Sequence, residues 1–374
     1  MFIVMGTAVA TSPAGADVYD ALERWLHRVP GGLVISNLGG CALFSALSGS
    51  SPATCAAIGK MGIPAMRKRG FSDELATGSI AAGGTLGILI PPSVTMIVYG
   101  IATETSIGRL FLSGILPGAM LTALFMAWVL FASWRFRGGE SVSQSRSYTW
   151  KERFHILPKV LPFLAIIVAV VYVLYGGIAT PSETAGVGAF LVVVLVMLIY
   201  RLWQPSAICK IMRDSTRESV MILFIIASSG LFSFMLSSLY VTQSVAESIV
   251  SMDTNRWVLM FYINIFLLVS GFFLPPVAVI LMAAPILLPI ITEAGFDPYW
   301  FAVVLTVNME IGLITPPVGL NLYVIKGIVP DISLPTVLKG ALPFMLSMVV
   351  GIVLLCVFPR IATWLPTLLM GFAS

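Results

Sequence analysis

The chain is 374 residues long, 58% hydrophobic and only 10% charged, with a formal net charge of +4. A soluble domain is usually about one quarter charged, so a water-soluble fold is excluded. The excess positive charge lies in loops between apolar runs, where membrane topology accounts for it and no nucleic-acid partner is implied.

Taken in chain order, Met1 to Ser12 is apolar but lacks the basic start and cleavage pattern of a signal peptide. Residues 17–29 form an amphipathic arm with Val18, Ala21, Leu22, Trp25 and Leu26 on one face, placed flat at the bilayer interface. Residues 32–66 are apolar on both sides of a small, polar tip, Ser48-Gly-Ser-Ser-Pro-Ala-Thr54, as in a re-entrant hairpin of two half-helices. After the basic loop Arg67-Lys68-Arg69, residues 75–103 form a helix interrupted at Gly87 to Pro92, where proline removes a donor and clashes with the preceding turn. Residues 110–134 are long enough to span.

Residues 135–218 hold two basic cytoplasmic loops around two scaffold helices, Leu157 to Tyr175 and Ala185 to Trp203. A further span, Val220 to Leu239, is followed by an arm over 240–252, a second hairpin over 256–291 with its tip at Ser270-Gly-Phe-Phe-Leu-Pro-Pro276, and a second interrupted helix over 298–325, broken at Gly312 to Pro317. A helix over 336–357 and an interfacial tail over 358–374 complete the chain. Runs of about 20 apolar residues are too long for barrel strands, and backbone groups in lipid must be satisfied within their own segment, so the fold class is an all-α polytopic membrane protein.

The sequence contains itself twice. Ile63 to Phe71 and Gly84 to Pro92 have counterparts in Leu288 to Phe296 and Met309 to Pro317, 225 positions on, and Gly114-Ile-Leu-Pro117 matches Gly340-Ala-Leu-Pro343 at 226. The paired loops differ in sign, Arg67-Lys68-Arg69 against Glu293 and Asp297, so by the bias of cytoplasmic loops toward Lys and Arg the repeat is inverted. By the same offset, Leu157 to Arg201 should have counterparts before Met1, which predicts a chain truncated by up to about 65 residues at its N-terminus relative to its own symmetry.

Matching breaks in the two halves of a transporter point to its binding site. At the first tip and break lie Ser48, Gly49, Ser50, Ser51, Thr54, Thr85, Ser93 and Thr95, hydroxyls and free carbonyls with almost no charge. Such hard oxygen donors suit Na+, and half-helix N-termini suit a carboxylate. Close helix packing through small residues would use the same residue types; the coincidence of the cluster with the tip favours binding. Asn308, Thr315 and Asn321 flank the second break, and Ser51, Thr54, Thr85, Ser93, Asn308 and Asn321 are candidates for a substrate pocket. Glu183 is placed to cap a helix and Lys326 to snorkel to the cytoplasmic surface, while Glu310 either faces the second ion site or pairs within the bundle.

An intramembrane serine hydrolase needs a base near its serine, and the two histidines, His27 and His155, lie outside the spans. No GxxxxGK[ST] phosphate loop is present, so neither an enzyme nor an ATPase is expected. Cys41, Cys55, Cys209 and Cys356 have no metal-ligand spacing, which leaves them as packing residues with no metal or cofactor beyond the coupling ion.

Ser48 to Gly59, Ile90-Pro-Pro-Ser93, Gly177 to Gly186 and Ile311 to Asn321 together resemble the large membrane subunit of tripartite ATP-independent periplasmic (TRAP) transporters, over nearly the whole chain. The resemblance implies an elevator-type Na+-driven carrier in the bacterial inner membrane, multi-pass, working with a small four-helix membrane subunit. It also implies a periplasmic substrate-binding protein that delivers an organic acid such as a dicarboxylate or a sialic acid. Carried onto this sequence, one ion site would use Ser48, Gly49, Ser50, Gly84, Gly87 and Pro91, and a second Gly271, Gly312, Thr315 and Pro317. A stand-alone Na+/dicarboxylate symporter of the same architecture, or a channel, remains the alternative.

Overall fold

The computed structural model describes residues 1–26, 31–135, 149–175, 178–240 and 255–371, and every regular element among them is a helix. The arm expected over 240–252 and most of the basic loop from Arg135 to Lys159 lie outside the described residues. Two short helices, α1 (Phe2–Thr11) and α2 (Ala14–Leu26), precede a first unit of five: α3 (Gly32–Ser48), α4 (Ser51–Lys68), α5 (Asp73–Thr85), α6 (Val94–Thr103) and α7 (Ile107–Arg135). Three long helices follow, α8 (Trp150–Tyr175), α9 (Pro181–Tyr200) and α10 (Pro205–Ser238). A second unit of five then repeats the first: α11 (Arg256–Phe273), α12 (Pro276–Glu293), α13 (Pro298–Leu313), α14 (Leu320–Ile328) and α15 (Leu334–Val357), with α16 (Arg360–Met370) after it.

Seven helices among the described residues, α7 to α12 and α15, are long and apolar enough to cross a membrane. On α8 to α10, Val168, Tyr172, Val187, Phe190, Leu223 and Phe224 stand exposed. In water such a surface would drive association; in a bilayer it faces its own solvent.

Polar caps restart each helix after a turn. Ser72 accepts from the Leu75 amide at the head of α5, and Asp297 accepts from the amides of Tyr299 and Trp300 at 2.8 and 2.9 Å to begin α13 behind Pro298. Thr180 and Glu183 form a reciprocal capping box at the start of α9. Because Glu183 acts there as an acceptor of the Thr180 amide and hydroxyl, Glu183→Gln keeps an acceptor in place. The melting temperature of that variant is expected to stay close to the parent's, and a large loss would give Glu183 a role beyond its cap.

Contacts between the two units show their relative direction. Arg67, at the end of α4, pairs with Asp73 at 2.9 Å and with Asp331, between α14 and α15, at 2.7 Å. The hydrogen bond from Arg67 holds the Asp331 carboxyl below the usual carboxylate range. At the other end, the Tyr99 hydroxyl in α6 donates to the Pro298 carbonyl, and the Arg109 guanidinium lies over the Tyr299 ring. The inter-helix loop of each unit therefore meets the end of the other unit's interrupted helix, which is the arrangement of an inverted repeat.

Part of the apolar face of the arm α2 is covered by protein, while Trp25 on the same face stands exposed. Val18 and Ala21 pack with Ile156 and Val160 of α8. Around that face, Asp17 accepts from the Lys159 amine at 3.3 Å and the Tyr200 hydroxyl at 2.8 Å, Arg24 donates to the Glu152 carbonyl at 2.8 Å, and Glu23 pairs with Arg69. The arm thereby joins the first hairpin to α8 and α9.

Candidate functional site

Each unit brings a hairpin tip against a broken helix. In the first, α3 ends at Ser48, Gly49 turns the chain in the left-handed region at φ 59°, and α4 starts at Ser51. Opposite this tip α5 stops at Thr85, tightens into a 3-10 turn over Leu86–Ile88, and resumes as α6 at Val94. In the second, Leu274 and Pro275 separate α11 from α12, and Ile314 to Gly319 separate α13 from α14. Pro91-Pro92 and Pro316-Pro317 sit at the two breaks, both joined by cis peptides.

Glycine makes these junctions possible. A Cβ on Gly87 would lie 2.8 Å from the Ser50 carbonyl oxygen, one on Gly49 2.6 Å from that of Pro92, and one on Gly312 2.4 Å from that of Gly271. No side chain fits at such distances, so tip carbonyls and break backbone approach each other only because the Cβ is missing. Gly84 packs differently, against the Cys55 sulfur, which a Cβ would meet at 2.0 Å.

The two junctions differ in access. Ser48, Gly49, Gly84, Gly87, Pro91 and Ser93 are buried and Ser50 is half-buried, whereas Pro317 is exposed and Thr315 half-buried, with Gly271 and Gly312 buried beneath them. The Val318 amide donates to the Phe272 carbonyl at 3.2 Å, fastening the second break to the second hairpin. Thr315 donates to the Ile311 carbonyl at 2.6 Å.

The hydroxyls and amides expected in one pocket are distributed among several local networks. Ser48 and Thr54 share a hydrogen bond of 2.9 Å, and Thr54 also donates to the Ser50 carbonyl at 2.9 Å. Thr85 and Ser93 donate to the Ala82 and Ile88 carbonyls of their own helix ends. Asn308 donates to Asn264 at 2.7 Å and to the Val304 carbonyl at 2.9 Å, leaving its own amide oxygen buried without a donor. Ser51 and Asn321, 270 residues apart, bond to each other.

Lys326 donates to the Pro330 and Ile332 carbonyls at 2.7 and 2.6 Å, closing the turn after α14. Glu310 is fully buried with neither carboxylate oxygen partnered, so the described residues supply no pair for it. Sequence reasoning passed over Asn264, whose amide donates to the Met260 carbonyl and whose oxygen accepts from Asn308; a polar amide inside an apolar span was the available signal. It also passed over Gly6 in α1, where a Cβ would strike the Ser48 carbonyl at 2.3 Å.

Uncharged oxygens at two glycine-lined junctions fit a small hard cation, since carbonyl dipoles can replace its hydration shell. Adding bulk at the first tip tests this fit: Ser50→Leu is expected to lose thermal stabilisation by Na+ while membrane insertion continues. Stabilisation equal to the parent's would leave Ser50 outside any ion site.

An inverted pair of interrupted helices, each closed by a hairpin tip and set beside long lipid-facing helices, defines a membrane carrier. Residues 1–361 match the family model described as the DctM component of the tripartite ATP-independent periplasmic transporters, and the chain belongs to that family, whose members are multi-pass proteins of the inner membrane and not enzymes. It is 36% identical over 365 residues to the C4-dicarboxylate TRAP transporter large permease of Pseudomonas aeruginosa, covering 98% of this chain and 84% of that protein. With the corresponding permease of Vibrio cholerae it shares 37% over 390 residues, 99% of this chain and 85% of that protein. The crystal structure of the Alcanivorax borkumensis YdaH transporter, described as having an unusual topology, shares the fold, with a TM-score of 0.68, 17% identity and coverage of 98% of this chain and 87% of that one.

Proposed function

We propose that this TRAP large permease uses a Na+ gradient to import an organic acid, with a C4-dicarboxylate the favoured cargo, handed over by a periplasmic binding protein and moved with a small membrane subunit. The observation that carries the proposal is the pair of glycine–carbonyl junctions, Gly87 on Ser50 and Gly312 on Gly271, one in each inverted half. The two relatives named for C4-dicarboxylates support the choice of cargo.

Four helices, α4, α6, α12 and α14, begin at the tips and breaks. Their N-termini carry the positive end of the helix dipole, which favours carboxylates. Sodium held at the junctions would add positive charge beside the cargo, and its gradient would supply the driving force. The substrate then lies between the tips, and the hairpins and broken helices slide as a body against α7 to α10 and α15. The hairpins are re-entrant in this scheme, although α11 and α12, at 18 residues each, have the length to cross.

The test is uptake of a labelled C4-dicarboxylate into proteoliposomes holding the chain with its small subunit, with and without an inward Na+ gradient and the binding protein. Uptake that requires both is expected. Uptake driven by Na+ without the binding protein would make the chain a stand-alone symporter, and flux independent of any gradient would make it a channel.

A further inference from the structure

Asn321, the second residue of α14, is a buried side chain that joins the two halves. Its amide nitrogen donates to the Ser51 hydroxyl at 2.8 Å and to the Ala81 carbonyl at 3.0 Å, while its oxygen accepts from the Ser51 hydroxyl at 3.1 Å. Both side chains are fully buried. Ser51 opens α4 next to Ser50, whose carbonyl rests on Gly87; Ala81 lies one turn before the end of α5; and Asn321 follows the second break by two residues. One amide therefore touches the first tip, the first broken helix and the chain leaving the second break.

The internal repeat shows that this contact has no twin. At the 225 offset, Asn321 corresponds to Met96 and Ser51 to Pro276, and neither a thioether nor a proline nitrogen can rebuild a donor–acceptor pair of this kind. The surroundings are unequal in the same sense. Ser48, Gly49 and Ser51 at the first tip are buried, whereas Phe273, Leu274 and Pro275 at the second are exposed.

We propose that Asn321 is a positioning residue that locks the first hairpin tip to the second break, so that these two parts move as one body. If, as proposed above, the junctions hold Na+, occupancy of one then restrains the other through Asn321, and the two sites bind cooperatively. The tie itself does not depend on that function. A buried amide is suited to the role because leaving either partner unmade costs its full desolvation, which makes the contact close to all-or-none.

The tie is tested on the full chain in nanodiscs by electron paramagnetic resonance, with spin labels at Lys60 on α4 and Tyr323 on α14, both exposed. A single narrow distance distribution is expected in the parent, and a broadened one in Asn321→Ala. A second label pair, at Leu274 and Ile101, reports the symmetry-related approach of the second tip to α6, where no such amide stands, and is expected to be unchanged by the substitution. Because Asn321→Ala strands the Ser51 hydroxyl, the double variant Ser51→Ala/Asn321→Leu, which removes both partners, keeps folding separate from tying. It should melt close to the parent in the absence of Na+ yet show the same broadening. An unchanged distribution in both variants would overturn the proposal.

Thermal stabilisation by added Na+ reads the coupling. The parent should respond with a Hill slope above one, and both variants with a slope near one and a half-maximal concentration roughly three- to tenfold higher, the size of effect one lost hydrogen bond gives. A steep response that survives in both variants would show that the sites are coupled without Asn321 and overturn that part of the proposal. A parent chain that Na+ does not stabilise at all would overturn the sodium-driven function instead, while the label distances would still decide the tie.

Discussion

Gly312→Ala and Gly87→Ala are each expected to reduce uptake by about a hundredfold or more while leaving the protein inserted. The added Cβ would lie 2.4 Å from the Gly271 oxygen in the first case and 2.8 Å from the Ser50 oxygen in the second, well inside contact distance. Both neighbours are backbone atoms at a helix end or a tip, so relief requires the hairpin to back away from the break by something approaching 1 Å. Displacements of that size at a binding site cost about a hundredfold in rate. The measurement is initial uptake in proteoliposomes, normalised to inserted protein. Parent-like rates in both variants would mean that the junctions tolerate separation and would overturn the proposal that they hold ions.

A larger effect on folding is expected at the crossing of α5 and α15. A Cβ on Gly340 would sit 1.8 Å from the Glu74 carbonyl oxygen, and one on Gly78 would sit 2.1 Å from the Gly340 oxygen. Here two backbones touch, as small residues allow in membrane helices, and neither has a flexible end that could yield. Overpacking costs about 1–3 kcal/mol in an ordinary core, and a clash between two main chains belongs at or above the top of that range. With total stabilities of about 5–15 kcal/mol, Gly340→Val should leave little folded protein by fluorescence-detected size exclusion. Gly186→Ala is the matched control, since a Cβ there meets nothing within 4 Å; equal yields from the two would contradict the close crossing.

Much of this architecture could be read directly from the residues. The 225-residue offset, with prolines and glycines in register, announces the repeat, and the change from Arg67-Lys68-Arg69 to Glu293 and Asp297 announces its inversion, because charge at helix ends is a one-dimensional signal. The positions of the tips and breaks were legible for the same reason: Gly and Pro act locally on backbone geometry. The pairing of side chains was not. Ser51 and Asn321 looked like pocket residues because each is polar in an apolar segment, and only the three-dimensional arrangement shows them satisfying each other. The packing of Val18 and Ala21 on α8 was hidden in a similar way, since an amphipathic pattern specifies that one face avoids water without saying whether lipid or another helix meets it. Asn264 and Gly6 escaped notice because their importance comes from partners distant in sequence, Asn308 and Ser48.

The antiparallel placement of the two units, with Arg67 reaching Asp331 at one end and Tyr99 reaching Pro298 at the other, has a consequence for how the membrane's two sides are told apart. If the chain works by alternating access, two copies of one motif pointing oppositely could exchange conformations, and the exchanged molecule would open toward the other side without needing a third shape. Inward-open and outward-open forms would then be one pair of shapes dealt to opposite halves. A preference between them would come in part from positions where the copies disagree, and Met96 opposite Asn321 is such a position.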